Sequence, residues 1–165
     1  NINIYLSEKF SKPSLKEFTY CFNSMPIDEF YDFKYGNLPY RSIKFKHLVT
    51  QTDSSLGHVT INYSDASKHT RETWWHNIPG HHIKRKDLFI KTQEEPCDYK
   101  DNNYERYYPV KTPDDKFGGI YNKYKNLREK KIEFIGRCGT YQYLDMHQVV
   151  NQSLLNVNRW IKDHE

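Results

Sequence analysis

The stretch that most limits what this chain can become is Ile132-Glu-Phe-Ile-Gly-Arg-Cys-Gly-Thr-Tyr-Gln-Tyr-Leu-Asp-Met-His-Gln-Val-Val150. Ile132 to Ile135 is short, β-branched and aromatic, which predicts a buried strand. Asp145, with Gln148 three residues on, predicts the start of a helix, because an Asp side chain and a Gln side chain can satisfy the first unpaired backbone N–H groups reciprocally. Between them Gly136, Arg137, Gly139, Tyr141 and Tyr143 predict a tight linker. A helix N-terminus behind a glycine-bearing turn suits an anionic group, since backbone donors converge there and glycine lets a ligand come close. Arg137 adds a fork of charged donors. The pattern therefore predicts an anion or cofactor site without choosing between them.

The same residues carry a resemblance. Gly136-Arg-x-Gly-Thr-Tyr-x-Tyr-Leu-Asp-Met-x-Gln-Val149 is similar to the C-terminal signature of UDP-galactopyranose mutases, flavoenzymes that contract galactopyranose to galactofuranose on its nucleotide. Upstream, Pro26-Ile-Asp-Glu-Phe-Tyr-Asp-Phe33, Leu38-Pro-Tyr-Arg-Ser42, Ile61-Asn-Tyr-Ser-Asp65, Thr70-Arg71 and Tyr107-Tyr-Pro-Val110 follow in that family's order. The likeness runs from about residue 20 to the end and corresponds to the C-terminal, substrate-side part of such an enzyme.

Several roles are implied by the resemblance alone. Arg71, Tyr107 and Tyr143 match residues that clamp the substrate diphosphate, and Asn62 matches a further substrate-side position. Gly136, Arg137, Asp145 and Met146 match the segment along FAD, and Arg41 matches another arginine of the pattern. In the family the chemistry is flavin-borne: N5 of reduced FAD attacks the anomeric carbon as UDP leaves, and the sugar recloses as the furanose. The residue types suit those roles, because a guanidinium makes charge-assisted bonds to phosphate oxygens and tyrosine hydroxyls donate without adding charge. The bland alternative is that Arg71 pairs with a carboxylate on a sheet and the tyrosines belong to a core. Two positions depart from the family pattern, Ile135 and Met25, where glycine is usual; the added bulk would narrow or shift the flavin site.

Composition sets limits on the rest. The hydrophobic fraction is 36%, or about 40% once the 7 glycines are added, against roughly 45–50% for ordinary soluble domains. Either the surface is tyrosine-rich and polar, with 14 Tyr, or this stretch packs against further protein. The net charge of +4 is spread among interleaved acids, and the short Lys84-Arg85-Lys86 run reads as a solvated turn rather than a nucleic-acid face. Cys21, Cys97 and Cys138 are odd in number and widely spaced, which predicts free thiols in a reducing compartment, the cytoplasm. No apolar run reaches membrane-spanning length. The first residue is not Met, as in a trimmed or excised piece. His81 and His82, with His76 nearby, lack further ligands at metal spacing. The glycines, at positions 36, 57, 80, 118, 119, 136 and 139, spell no Gly-x-Gly-x-x-Gly, so a dinucleotide-binding segment or a second chain is expected as a partner for holding FAD.

Periodicity predicts an α+β fold of one domain over 1–165. Strands are expected near residues 2–6, 18–22, 42–48, 59–63 and 87–92, forming a mainly antiparallel twisted sheet over 40–110, with Glu95-Pro-Cys-Asp98 as a breaker. Helices are expected at 27–33 with Asp28 as cap, at 117–130 and at 146–162. The last would place Val149, Val150, Leu154, Val157, Trp160 and Ile161 on one packing face. Two functional readings follow. The chain is part of a mutase acting on UDP-galactose or a related nucleotide sugar in cell-surface polysaccharide synthesis, or it is a non-catalytic, mutase-derived module that binds a nucleotide sugar or a partner chain.

Overall fold

The computed structural model describes residues 2–8, 10–80, 87–127 and 129–165. In chain order its strands are β1 (Cys21–Asn23), β2 (Tyr40–Thr50), β3 (Thr60–Asn62), β4 (Arg71–Trp74), β5 (Phe89–Asp98), β6 (Tyr108–Pro109) and β7 (Ile132–Phe134). The helices are α1 (Ile27–Phe30), α2 (Gly118–Lys125), α3 (Gly136–Thr140) and α4 (Met146–His164). The fold is α+β, as the periodicity predicts. Contacts group the chain into two compact units, Tyr40–Tyr107 and the remainder, Asn1–Pro39 with Tyr108–Glu165.

In the Tyr40–Tyr107 unit, antiparallel strands lie in the order β3-β4-β5-β2. β5 runs straight through the expected breaker, with Pro96 opposite Ile43. The reason lies in the ladder. Glu94 still exchanges a bond with β4's approach, its carbonyl accepting from the Thr70 N–H at 2.9 Å, but β4 pairs no further than Arg71 with Glu94. Two residues on, the missing N–H of Pro96 points to the side that β4 has left, where no ladder bond is lost.

One face of this sheet is closed by Trp74, fully buried under the Lys91 ammonium at 4.8 Å from its ring. Beside it Glu72, 3% exposed, accepts from Lys91 Nζ at 2.8 Å, Gln93 Nε2 at 2.7 Å and the Tyr63 hydroxyl at 3.1 Å. A buried carboxylate is tolerable only when so satisfied. Burial by itself pushes the Glu72 carboxyl up, yet the bonds from Gln93, Lys91 and Tyr63, with the Lys91 charge, outweigh it and hold the group below the ordinary carboxylate range.

The second unit is built on aromatic packing. Phe30, Tyr31, Tyr124 and Phe134 meet ring to ring at centroid distances of 5.0–6.3 Å. The buried Tyr124 hydroxyl accepts from Tyr35 N–H at 2.8 Å and donates to Gly36 O at 2.7 Å, so the tyrosines supply apolar area and polar partners together. β1 and β7 pair in parallel, Cys21 with Ile132 through Asn23 with Phe134. Asp28 does not cap α1, whose N-cap is Pro26; it is buried and accepts from the Leu38 N–H at 2.9 Å.

Other expectations are corrected. Residues 2–6 form no strand, and the second expected strand lies at β1, a few residues later. The helix expected over 117–130 is only eight residues, α2. α4 begins where predicted, but its apolar residues divide: Val149 and Trp160 turn inward, whereas Val150, Leu154 and Ile161 are exposed.

Candidate functional site

In the Tyr40–Tyr107 unit the pairing register sets Asn62 opposite Arg71, Arg71 opposite Glu94, and Glu94 opposite Phe45. Directly opposed residues point to the same side of a sheet, so these four form one row across four strands. Arg71 Nε donates to Asn62 Oδ1 at 3.0 Å, and its Nη1 lies 3.7 Å from Glu94 Oε2. The guanidinium is thus steadied from two sides while its side chain stays about half exposed, at 49%. The carboxylate pairing offered as the bland reading of Arg71 is realised, by Glu94.

Tyr107 stands at the opposite end of that row. Its backbone N–H donates to Arg41 O at 2.9 Å, and its ring meets Phe45 edge-on at 6.4 Å. Two strand spacings, about 10 Å, separate Phe45 from Arg71. Arg41 faces Asp98 across β2 and β5.

The next row on the same side carries Thr73, Thr92 and His47. The Trp75 indole N–H donates to Thr92 Oγ1 at 2.7 Å, and His47 Nδ1 lies 2.8 Å from the same oxygen. The two tryptophans therefore differ: Trp74 is core, and Trp75 is a half-buried aromatic surface beside the Arg71 row.

In the other unit the signature segment is a short helix, α3, rather than an open linker. Gly136 sits at φ +72° and gives its N–H to Gln152 Oε1 at 2.7 Å. Gly139 is needed for packing, since a Cβ there would lie 2.9 Å from Asn23 O. Ile135, bulkier than the family's glycine, bonds through its N–H to Asn23 O at 3.0 Å. Arg137 Nε donates to Leu144 O, and its guanidinium covers the Tyr143 ring at 4.9 Å. That ring also meets Tyr108 edge-on at 5.7 Å. Tyr141, in the left-handed region at φ +49° and fully buried, directs its hydroxyl to Pro39 O and Val110 O at 2.9 and 3.0 Å.

Asp145 and Gln148 form the expected capping box, with Asp145 N–H on Gln148 Oε1 at 2.7 Å. Met146, the next residue, is exposed. The segment thus joins a guanidinium, a stacked tyrosine and the positive end of a 19-residue helix, a donor set suited to an electron-rich ring edge or an anion.

Of the residues singled out from sequence, Asn62 and Arg71 are bonded to each other, and Tyr107 lies in the same unit, joined to β2 through its N–H bond to Arg41 O. Arg137 and Tyr143 are in contact, and Gly136, Asp145 and Met146 belong to the same segment. Sequence reasoning missed Glu94, Trp75's bond to Thr92, and the Glu72 cluster. Alternation alone carried a signal for Glu94, but only the pairing register places it against Arg71. His81, His82 and Lys84-Arg85-Lys86 lie outside the described residues. Among the described residues no group of three His, Cys, Asp or Glu could hold a metal ion, and no helix is long and apolar enough to cross a membrane.

An α+β chain carrying this signature matches a known class: residues 1–143 fit the family model for UDP-galactopyranose mutase, and the chain belongs to that family. Among its relatives is the dTDP-fucopyranose mutase of Escherichia coli, 30% identical over 180 residues, which takes in 100% of this chain and 45% of that protein. A probable UDP-galactopyranose mutase of Klebsiella pneumoniae is 27% identical, covering 98% of this chain and 41% of its own length. The UDP-galactopyranose mutase of Mycoplasma genitalium is 28% identical, over 93% and 39% respectively. The chain thus spans less than half the length of these relatives.

Proposed function

We propose that this chain is the substrate-side part of a mutase that interconverts the pyranose and furanose forms of a nucleotide sugar, UDP-galactose or a 6-deoxy relative, for cell-surface polysaccharide synthesis in the cytoplasm. The observation that carries the reading is the Asn62–Arg71 pair on an exposed sheet row, in a chain that belongs to the mutase family. Arg71 binds a diphosphate oxygen, with Asn62 fixing the plane of the guanidinium so that little freedom is lost on binding. Tyr107 donates a hydroxyl hydrogen bond to the same anion, and Tyr143 is assigned that role on the family resemblance. Charge stabilisation of this kind favours departure of the nucleotide, because the donors are already oriented when negative charge develops.

FAD suits the α3–α4 segment through the Arg137 charge and the positive end of α4, and Gly136 and Arg137, with Asp145 and Met146 at the start of α4, would line the ring end of the cofactor. When bound, the reduced flavin supplies the electron pair that a ring contraction of this type requires. Arg137 would neutralise the electron-rich edge of the ring, and Tyr143, stacked under that guanidinium, would keep it in place and exclude water.

The second reading is a module that binds a nucleotide sugar or a partner chain without catalysis. It is favoured by Ile135 and Met25, which put bulk at positions where the family pattern has glycine. Calorimetric titration with UDP and UDP-galactose, together with the visible spectrum of the freshly purified protein, separates the possibilities. Binding of UDP without a flavin spectrum is expected for this chain by itself. No binding at millimolar ligand removes both readings, and a yellow protein with bound FAD overturns the view that a dinucleotide-binding partner is required.

A further inference from the structure

Glu94 is the one acid in the row that holds Arg71. Its side chain is 15% exposed, yet the Arg71 Nη1 that pairs with it stands 3.7 Å from Oε2, beyond hydrogen-bond length. Among the described residues neither Glu94 carboxylate oxygen accepts a hydrogen bond, and of the Arg71 donors Nε alone is engaged, by Asn62 at 3.0 Å. A carboxylate so far withdrawn from solvent ordinarily has its oxygens filled. Glu72, on the other face of the same sheet, has donors from Lys91, Gln93 and Tyr63. Beyond Glu94 the row continues with Phe45, 45% exposed and met edge-on by the Tyr107 ring at 6.4 Å. From Arg71 to Phe45 the row thus sets a charged donor fork, a carboxylate and an aromatic ring one strand spacing apart, about 4.8 Å each.

We propose that this order reads a glycosyl diphosphate, with Glu94 accepting a hydrogen bond from the hexose hydroxyl next to the anomeric carbon and Phe45 lying against the C–H face of the sugar ring. The inference rests on the reading that Arg71 takes the diphosphate. In a nucleotide sugar the C2 hydroxyl is the ring hydroxyl nearest the diphosphate, as Glu94 is the neighbour of Arg71 in the row. A carboxylate has acceptors alone, and its bond from a hydroxyl is stronger than a neutral one. It also repels a further anionic group at that place, so the position beside Arg71 favours a sugar over another phosphate. A site built to bond a hydroxyl discriminates sharply against the analogue that lacks it, because the acceptor is then left buried without a partner. Glu94 therefore acts in opposite directions on two ligands. It competes for Arg71 when UDP binds without a sugar, and it is a partner when the hexose is present.

The test is calorimetric titration of the full chain and two variants with UDP, UDP-galactose and UDP-2-deoxygalactose. The parent chain is expected to bind UDP-galactose about tenfold more tightly than the 2-deoxy analogue, as for loss of a hydrogen bond to a charged group. In Glu94→Gln, which keeps the shape and loses the charge, that preference is expected to shrink to about threefold or less, while UDP binds as tightly as before or more so. Phe45→Ala is expected to weaken both sugar nucleotides alike and to leave UDP unchanged. UDP binding thereby reports that each variant is folded. A parent chain that does not distinguish the 2-deoxy analogue, or a preference undiminished in Glu94→Gln, overturns the proposal and leaves the reading of Arg71 standing. Equal weakening of all three ligands in Glu94→Gln shows that the carboxylate merely orients Arg71, and overturns it too. No binding of UDP by the parent chain removes the reading of Arg71 and this proposal with it.

Discussion

Arg71 and Asn62 face each other across β4 and β3, and the guanidinium Nε donates to the amide oxygen at 3.0 Å. This single bond turns a flexible cation into a directed one. It also makes the two residues one unit for mutation: loss of either changes what the other can do.

Arg71→Ala is expected to weaken UDP binding by about 1–3 kcal/mol, the range for a lost charged hydrogen bond. Asn62→Ala should weaken it in the same direction by less, since the charge remains and only its orientation is lost. Tyr143→Phe, which removes one neutral hydroxyl, should cost about 0.5–1.5 kcal/mol. Titration calorimetry of the three variants checks the order, and equal affinities in all of them refute the assignment.

Glu94→Gln is expected to strengthen binding of UDP. The carboxylate lies 3.7 Å from Arg71 Nη1 and competes with any incoming anion for the same donors. The gain should be about 0.2–1 kcal/mol, the usual worth of such a partly exposed pair. A loss of affinity instead would show that Glu94 holds Arg71 in its working orientation.

Stability should fall at acid pH through Glu72. Its carboxyl is held below the ordinary range in the folded chain, so the contribution is complete above the unfolded carboxylate pKa, roughly 4.3, and disappears as pH falls through the lower folded value. Glu72→Gln is expected to cost about 1–3 kcal/mol at pH 7. Its unfolding midpoint should vary less between pH 7 and 3 than that of the parent, as followed by denaturant titration at each pH.

Tyr124→Phe is expected to destabilise the chain by about 1–3 kcal/mol although it removes one atom. The hydroxyl serves both Tyr35 N–H and Gly36 O, and its removal leaves two backbone groups without their partner. Tyr104→Phe, at an exposed ring, should change the unfolding midpoint little.

Much of the fold was legible locally. The helix at Met146 could be placed to the residue, because an N-cap and its reciprocal Gln are chemistry within four residues. β2 and β3 followed from alternation. The breaker at Pro96 failed because proline is excluded from a strand only where its missing donor would have had a neighbour, and β4 ends before reaching it. The expected strand at residues 2–6 failed for a related reason: alternation shows that a segment can pair, and pairing needs an edge to join.

The amino-acid order by itself determined the family and the segments that carry its signature, since a long ordered match survives whatever the chain does in three dimensions. Tertiary structure decided that Arg71 lies between Asn62 and Glu94, that Trp75 is turned to the site side while Trp74 is core, and that Met146, Val150, Leu154, Leu155 and Ile161 of α4 are exposed. The physical reason is the same in each case. Periodicity states which side chains share a face, whereas strand register and helix rotation, fixed only by the neighbours they pack against, state what that face meets.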